Sequence, residues 1–196
     1  MGKSKLYRIL RPILTFLIKI IFRPVIIGKE NIPQKGRMVL AGNHTNILDP
    51  VLLLASTKRT VHFLAKIELV NGPFGFIFKH MGIIPVNRQI KDKTVMPTAI
   101  KGLEQNKIIG VFPEGTTEKG RGLLPFKTGA VRMAQSANSQ ILPFAIIGKY
   151  RIFKGPILIF GKPYTQKTND VTKENDILRN IVVDLIKKGE NYGKNK

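Results

Sequence analysis

VLAGNHTNILDPVLLL, residues 39–54, opens on an apolar run, passes through a polar turn and closes on a second apolar run that begins at Asp49 and Pro50. The first run, extended back to residue 38, reads as a buried strand. Aspartate followed by proline is a helix start, with Asp49 as N-cap and Pro50 at the first helical position. The stretch is therefore a strand, a loop carrying His44, and a helix.

Outward from this unit, short apolar runs recur at 61–65, 83–86, 108–112, 141–147 and 157–160. Helical stretches are expected at 50–56, 94–105, 128–138 and 173–188. Strands alternating with helices predict an α/β fold, a single domain with a largely parallel central sheet flanked by helices. No internal repeat, low-complexity tract or linker divides it. In such sheets ligands gather beyond the carboxyl ends of the strands. The residues so placed are Asn43 and His44, Lys66 and Glu68, Asn87 and Arg88, and Pro113 and Glu114.

Ahead of the first strand lies KLYRILRPILTFLIKIIFRP, residues 5–24, with Lys5, Arg8, Arg11, Thr15, Lys19 and Arg23 spaced to share one helical stripe among Leu, Ile and Phe. Its charges recur too often for a transmembrane span, and no small-residue cleavage site follows it as in a signal peptide. An interfacial amphipathic helix is expected, kinked or restarted at Pro12. This divides the chain into a membrane-interface helical segment, 1–27, and a catalytic domain, 28–196.

The 196 residues include 33 Lys and Arg against 12 Asp and Glu, a net charge of +21, with 43% hydrophobic residues and no cysteine. Thiol chemistry and disulfides are excluded. The charge calls for an anionic partner. Nucleic acid would require aromatics interleaved with the cations, whereas Phe74, Phe76 and Phe78 sit in an apolar run. An anionic membrane surface is the expected partner, and nucleic acid is not.

His44 and Asp49 together can do acid-base work. A neutral imidazole takes a proton from an alcohol, and a carboxylate on its other nitrogen fixes the tautomer and stabilises the imidazolium. Ser4, Ser56, Ser136 and Ser139 have no nucleophile-elbow context, so the substrate's own hydroxyl must attack. His62 and His80 read as structural, the latter at a helix C-terminus, and no metal site is suggested.

NHTNILDP, residues 43–50, resembles the first motif of the glycerolipid acyltransferase family, in which a histidine, four residues and an aspartate form the catalytic pair. GIIPVNR, 82–88, looks like the second block, FPEGTTEKGRGLLPFKTGA, 112–130, the third with its extension, and ILPFAI, 141–146, the fourth. The blocks follow in the family's order. The resemblance implies that a fatty acyl group passes from an acyl thioester to the free hydroxyl of lysophosphatidate, giving phosphatidate. It implies no cofactor, with acyl-coenzyme A or acyl carrier protein as co-substrate, and a place at the cytoplasmic face of the cell membrane, peripheral or monotopic.

By the same resemblance Arg88, Glu114 and Gly115 line the acceptor site, and the third block adds Thr116, Arg121 and Lys127 as candidate substrate-binding residues. The planar fork of Arg88 suits a phosphate. Glu114, which would repel one, is expected to orient Arg88 or Lys127 or to bond a glycerol hydroxyl. Gly115 permits a tight turn, Thr116 serves as turn residue or ligand, and Lys127 precedes a helix whose N-terminus favours anions. Thr117 stands where the family often has arginine; Arg121 or Lys119 would replace that cation, and another lysolipid or an amine acceptor stays open. A non-catalytic peripheral lipid-binding protein is the alternative from another class.

Overall fold

A computed structural model of the chain describes residues 5–73, 75–87, 89–90, 92–117 and 122–194. Among these described residues seven strands form one sheet: β1 (Val25–Ile27), β2 (Met38–Gly42), β3 (Val61–Lys66), β4 (Ile84–Val86), β5 (Ile108–Val111), β6 (Gln140–Ile147) and β7 (Ile157–Phe160), in the order β1-β7-β6-β2-β5-β3-β4. Every neighbouring pair is parallel except β6 with β7. The helices are α1 (Lys5–Phe22), α2 (Asp49–Ser56), α3 (Ile67–Asn71), α4 (Gly75–His80), α5 (Val95–Glu104), α6 (Gly129–Ser136) and α7 (Val171–Lys194).

Strand alternation sends Met38 and Leu40 to one face of the sheet and Val39 and Ala41 to the other, and all four are buried. The first face packs beneath α1 and α2, with Tyr7, Ile18, Leu52 and Leu53 in one core. The second packs beneath α5, α6 and α7, with Ala99, Leu103, Val131 and Leu178 in another. Helices on both faces explain why the strands read as unbroken apolar runs. β2 lies between β5 and β6 in matched register, so the loops leaving all three emerge along one edge.

Contact between β2 and β6 requires a glycine: a Cβ on Gly42 would lie 2.1 Å from the carbonyl oxygen of Phe144. Beyond it, the buried Asn43 side chain imitates a peptide, donating to Ile146 O at 2.8 Å and accepting from Ile146 N at 2.7 Å. These bonds carry the ladder past the end of the strand and aim the next residue, His44.

Two short helices, α3 and α4, fill the stretch between β3 and β4, and β1 precedes β2; neither feature has a strong periodic signal in so few residues. Val25–Ile27, grouped by the sequence reading with the helical segment, pairs with β7. Pro12 lies inside an unbroken α1 instead of dividing it. The basic stripe of α1 is also split. Arg11 turns toward the domain, where its guanidinium donates to Lys58 O at 3.0 Å, Leu54 O at 3.4 Å and Thr57 O, capping the carbonyl end of α2. On the opposite side Ile9, Ile13, Phe16, Leu17 and Ile20 are exposed.

His62 is buried in β3, its Nδ1 2.8 Å from Gly82 O, and burial lowers its pKa from the ordinary 6.5. Above that value both folded and unfolded chains hold the imidazole neutral. Below it the unfolded chain takes up a proton that the folded one resists, so stability falls as pH falls. Thermal melts from pH 7.5 to 5 are expected to show this decline, and His62→Asn, which keeps a donor for Gly82, to flatten it. Gly42→Ala is expected to destabilise the fold by roughly 1–3 kcal/mol in urea titrations, from overpacking against β6.

Candidate active site

His44 leaves the end of β2 and meets Asp49, the first residue of α2, with Nδ1 2.9 Å from Oδ2. The imidazole is 17% exposed and the carboxylate 0%. Since a carboxylate accepts, Nδ1 carries the proton and Nε2 is left as the basic nitrogen. The expected N-cap role of Asp49 is corrected: Leu48 is the N-cap, and the carboxylate bonds the turn before the helix. Oδ2 accepts from the N–H groups of Thr45 at 2.5 Å and Asn46 at 2.9 Å. Asn46 in turn accepts from Leu48 N through its side chain at 3.0 Å. The helix N-terminus adds a favourable field for the negative charge.

Two residues outside the sequence-predicted set complete the surroundings. The ring of Phe112, just past β5, stacks on the His44 imidazole with centroids 3.9 Å apart and planes 16° apart. The Tyr150 hydroxyl, on the loop after β6, donates to Asp49 Oδ1 at 2.7 Å. No spacing in the sequence links Tyr150 to the motif, although it follows the carboxyl end of a strand as the others do.

Glu114 is buried, and both its oxygens go to main-chain donors, Oε1 to His44 N at 2.8 Å and Oε2 to Leu124 N at 3.0 Å. It ties the histidine loop to the segment after the FPEG turn. That turn is closed by Gly115 N donating to Phe112 O at 3.0 Å, with Gly115 at φ 73°, a conformation that favours glycine. A Cβ on Gly115 would stand 3.1 Å from Lys127 Nζ, so the structure brings this lysine over the turn. Lys127 N donates to Pro113 O at 2.9 Å, immediately before α6. Thr116 follows on the same turn. Arg88 and Arg121 lie outside the described residues, as does Lys119.

His62 and His80 stand apart from this cluster; His80 is the last residue of α4, its Nδ1 2.6 Å from Phe76 O. Among the described residues no group of three or more His, Asp or Glu side chains is placed to share a metal ion. A histidine held by a buried carboxylate, with one nitrogen left to accept a proton, is equipped for general-base chemistry.

Glu114→Gln keeps the size of the side chain but can accept from only one of its two N–H partners. It is expected to cost roughly 1–3 kcal/mol of stability in denaturant titrations, with increased hydrogen exchange at His44 or Leu124.

A family model described as acyltransferase matches residues 23–147. A 1-acyl-sn-glycerol-3-phosphate acyltransferase of Bacillus subtilis is 32% identical over 146 residues, 71% of this chain and 72% of that protein. One of Borreliella burgdorferi is 33% identical over 132 residues, 66% of this chain and 53% of that protein. One of Haemophilus influenzae is 38% identical over 114 residues, 56% of this chain and 48% of that protein. The match thus spans about half the length of the last two relatives. The crystal structure of the 1-acyl-sn-glycerophosphate acyltransferase PlsC from Thermotoga maritima shares the fold, with a TM-score of 0.71 over 88% of this chain and 78% of that chain at 23% identity.

Proposed function

The chain belongs to the acyltransferase family, and from that premise we propose that it transfers a fatty acyl group from an acyl thioester to the free hydroxyl of lysophosphatidate, yielding phosphatidate. The observation that carries the chemistry is the 2.9 Å bond from His44 Nδ1 to a carboxylate sealed from solvent. Nε2 then takes the acceptor's hydroxyl proton as its oxygen attacks the thioester carbonyl. An ester C–O bond forms, the C–S bond breaks, and the proton passes from His44 to the departing thiolate. Asp49 stabilises the imidazolium in between. Coenzyme A or acyl carrier protein carries the donor, and no further cofactor is invoked.

The acceptor's phosphate is assigned to the cations of the second and third blocks, Arg88, Arg121 and Lys127, with Gly115 and Thr116 forming the turn against which it rests. Support for Lys127 comes from its position over that turn and before α6. Glu114 is assigned a different part, holding the backbone of His44.

The acceptor resides in a bilayer, and α1 supports a place there. Among the described residues no helix is long and apolar enough to cross a membrane. The exposed row Ile9, Ile13, Phe16, Leu17 and Ile20, joined by Ile152 and Phe153, is suited to enter the interface, with Arg8, Lys19 and Arg23 meeting anionic headgroups. α1 is accordingly assigned the anchoring role, peripheral or monotopic at the cytoplasmic face, while Val25–Ile27 of the 1–27 segment belongs to the sheet and α1 also shares the core through Tyr7 and Ile18. Truncating it would unseat that core, so surface substitutions are the sharper probe. Ile13→Ser with Phe16→Ser is expected to abolish most co-sedimentation with anionic vesicles while leaving the melting temperature close to wild type; undiminished binding would refute the anchoring role.

Catalysis is tested by assaying wild type and His44→Ala in mixed micelles, following phosphatidate formation from lysophosphatidate and acyl-coenzyme A. A loss of roughly 10²- to 10⁴-fold in kcat is expected for a missing general base. A folded variant that retains wild-type activity would sink the mechanism.

A further inference from the structure

Asp49 is wholly buried, and its two oxygens are served unequally. Oδ2 accepts from His44, Thr45 N and Asn46 N, all within 2.5 to 2.9 Å and all from the loop leading into α2. Among the described residues Oδ1 has Tyr150 OH at 2.7 Å and, beyond that, only the Thr45 hydroxyl at 3.2 Å, which also lies 3.3 Å from Oδ2. The short partner on that side is therefore a side chain 101 residues away, in a different loop.

That loop is itself anchored. The Tyr150 ring meets Phe22 of α1 edge-on, with centroids 5.4 Å apart. Phe153 N donates to Ile21 O at 2.7 Å, and Arg23 lies over the Phe153 ring at 4.6 Å. A Cβ on Gly155 would come within 2.4 Å of Phe22 O, so the loop and the end of α1 touch backbone to backbone. Burial, with the Asp49 charge beside it, raises the pKa of the Tyr150 hydroxyl far above its ordinary value. The hydroxyl stays a donor at any working pH.

We propose that Tyr150 is a positioning residue for transfer: it acts through Asp49, holding the carboxylate oriented toward His44, and it ties that pair to the seating of α1. Tyr150 touches Asp49 rather than the reacting atoms. Remove its hydroxyl and Oδ1 is left buried with one weak donor, so the charge of the carboxylate is less dispersed and holds the imidazolium of the pair more tightly. The free base of His44 is then reached at higher pH in the variant than in the wild type. Among the described residues the titratable side chains bonded to the pair are Tyr150, on Asp49, and Glu114, on the His44 main chain; Tyr150→Phe leaves Glu114 in place, so the change at Oδ1 sets the direction.

The inference rests on the proposed transferase reading, and the test separates the two. Tyr150→Phe and His44→Ala are each assayed with lysophosphatidate and acyl-coenzyme A across pH 5.5–9, alongside thermal melts. For Tyr150→Phe the expected result is a roughly 10- to 100-fold fall in kcat, the loss of one hydrogen bond to a charged group. KM for both substrates stays near wild type, and the acid limb of the kcat profile moves to higher pH. A wild-type kcat with an unmoved acid limb overturns the proposal, as does a fall in kcat that tracks a lowered melting temperature and leaves the limb in place. Activity surviving in His44→Ala would instead overturn the reading of the site itself.

Discussion

A carboxylate removed from water must find all its hydrogen bonds in the protein, and Asp49, fully buried at the start of α2, sets that requirement at the centre of this fold. Desolvating an ion costs several kcal/mol, which only well-aimed donors offset. The 45–46 turn supplies two N–H groups, the imidazole a third donor and Tyr150 a fourth. Each comes from a loop at the carboxyl edge of the sheet. The parallel register of β2 with β5 and β6 is what brings those loops together. The spacing of histidine and aspartate is thus only the local half of the arrangement; the other half is the crossover topology that returns β6 beside β2.

The position of α1 follows from a similar need at the other end of α2. Its last carbonyls require donors, and Arg11 provides them from the helix above. That single inward cation fixes which side of α1 faces the domain. The apolar positions left over form the exposed row from Ile9 to Ile20, a continuous surface that water would not favour. One helix therefore carries two faces: core contacts at Tyr7, Ile18 and Phe22, and an exposed apolar outer side. Because Phe22 also meets Tyr150, α1 joins the rest of the fold through a packed contact rather than a linker.

Most of this architecture is legible in the sequence, because short apolar runs alternating with periodic stretches leave few alternatives to an α/β layer. The edge carrying His44 and Glu114 is legible for the same reason, through the rule that strand ends collect ligands. What escaped reading is physically coherent. β1, α3 and α4 are short, too few residues for a period to register. The two apolar sides of α1 look alike in sequence, since periodicity does not distinguish protein from lipid as a partner, and so Arg11 reads as part of an outer stripe. Tyr150 escaped because its significance lies in a contact 101 residues away. Extending the strand-end rule to the residues after Ile147 would have reached it.

Glu114 shows how such gaps resolve. Read from sequence, a carboxylate within a cluster expected to bind phosphate is a contradiction, answered by supposing that it orients a cation or bonds a glycerol hydroxyl. In the structure its two oxygens accept from His44 N and Leu124 N, so the charge is spent on main-chain dipoles on both sides of the FPEG turn. Charge-assisted bonds of this kind are among the stronger ones in a protein interior. They pin the backbone of the histidine on one flank while Asp49 pins its ring on the other. With Phe112 stacked against the imidazole face, rotation and translation of the ring are both restricted. A general base contributes most when its reactive nitrogen is held in place before the substrate arrives, because the cost of ordering is then met in folding rather than in the transition state. On that argument the second acidic residue of the site contributes by holding the histidine main chain, with both its oxygens already taken by N–H groups.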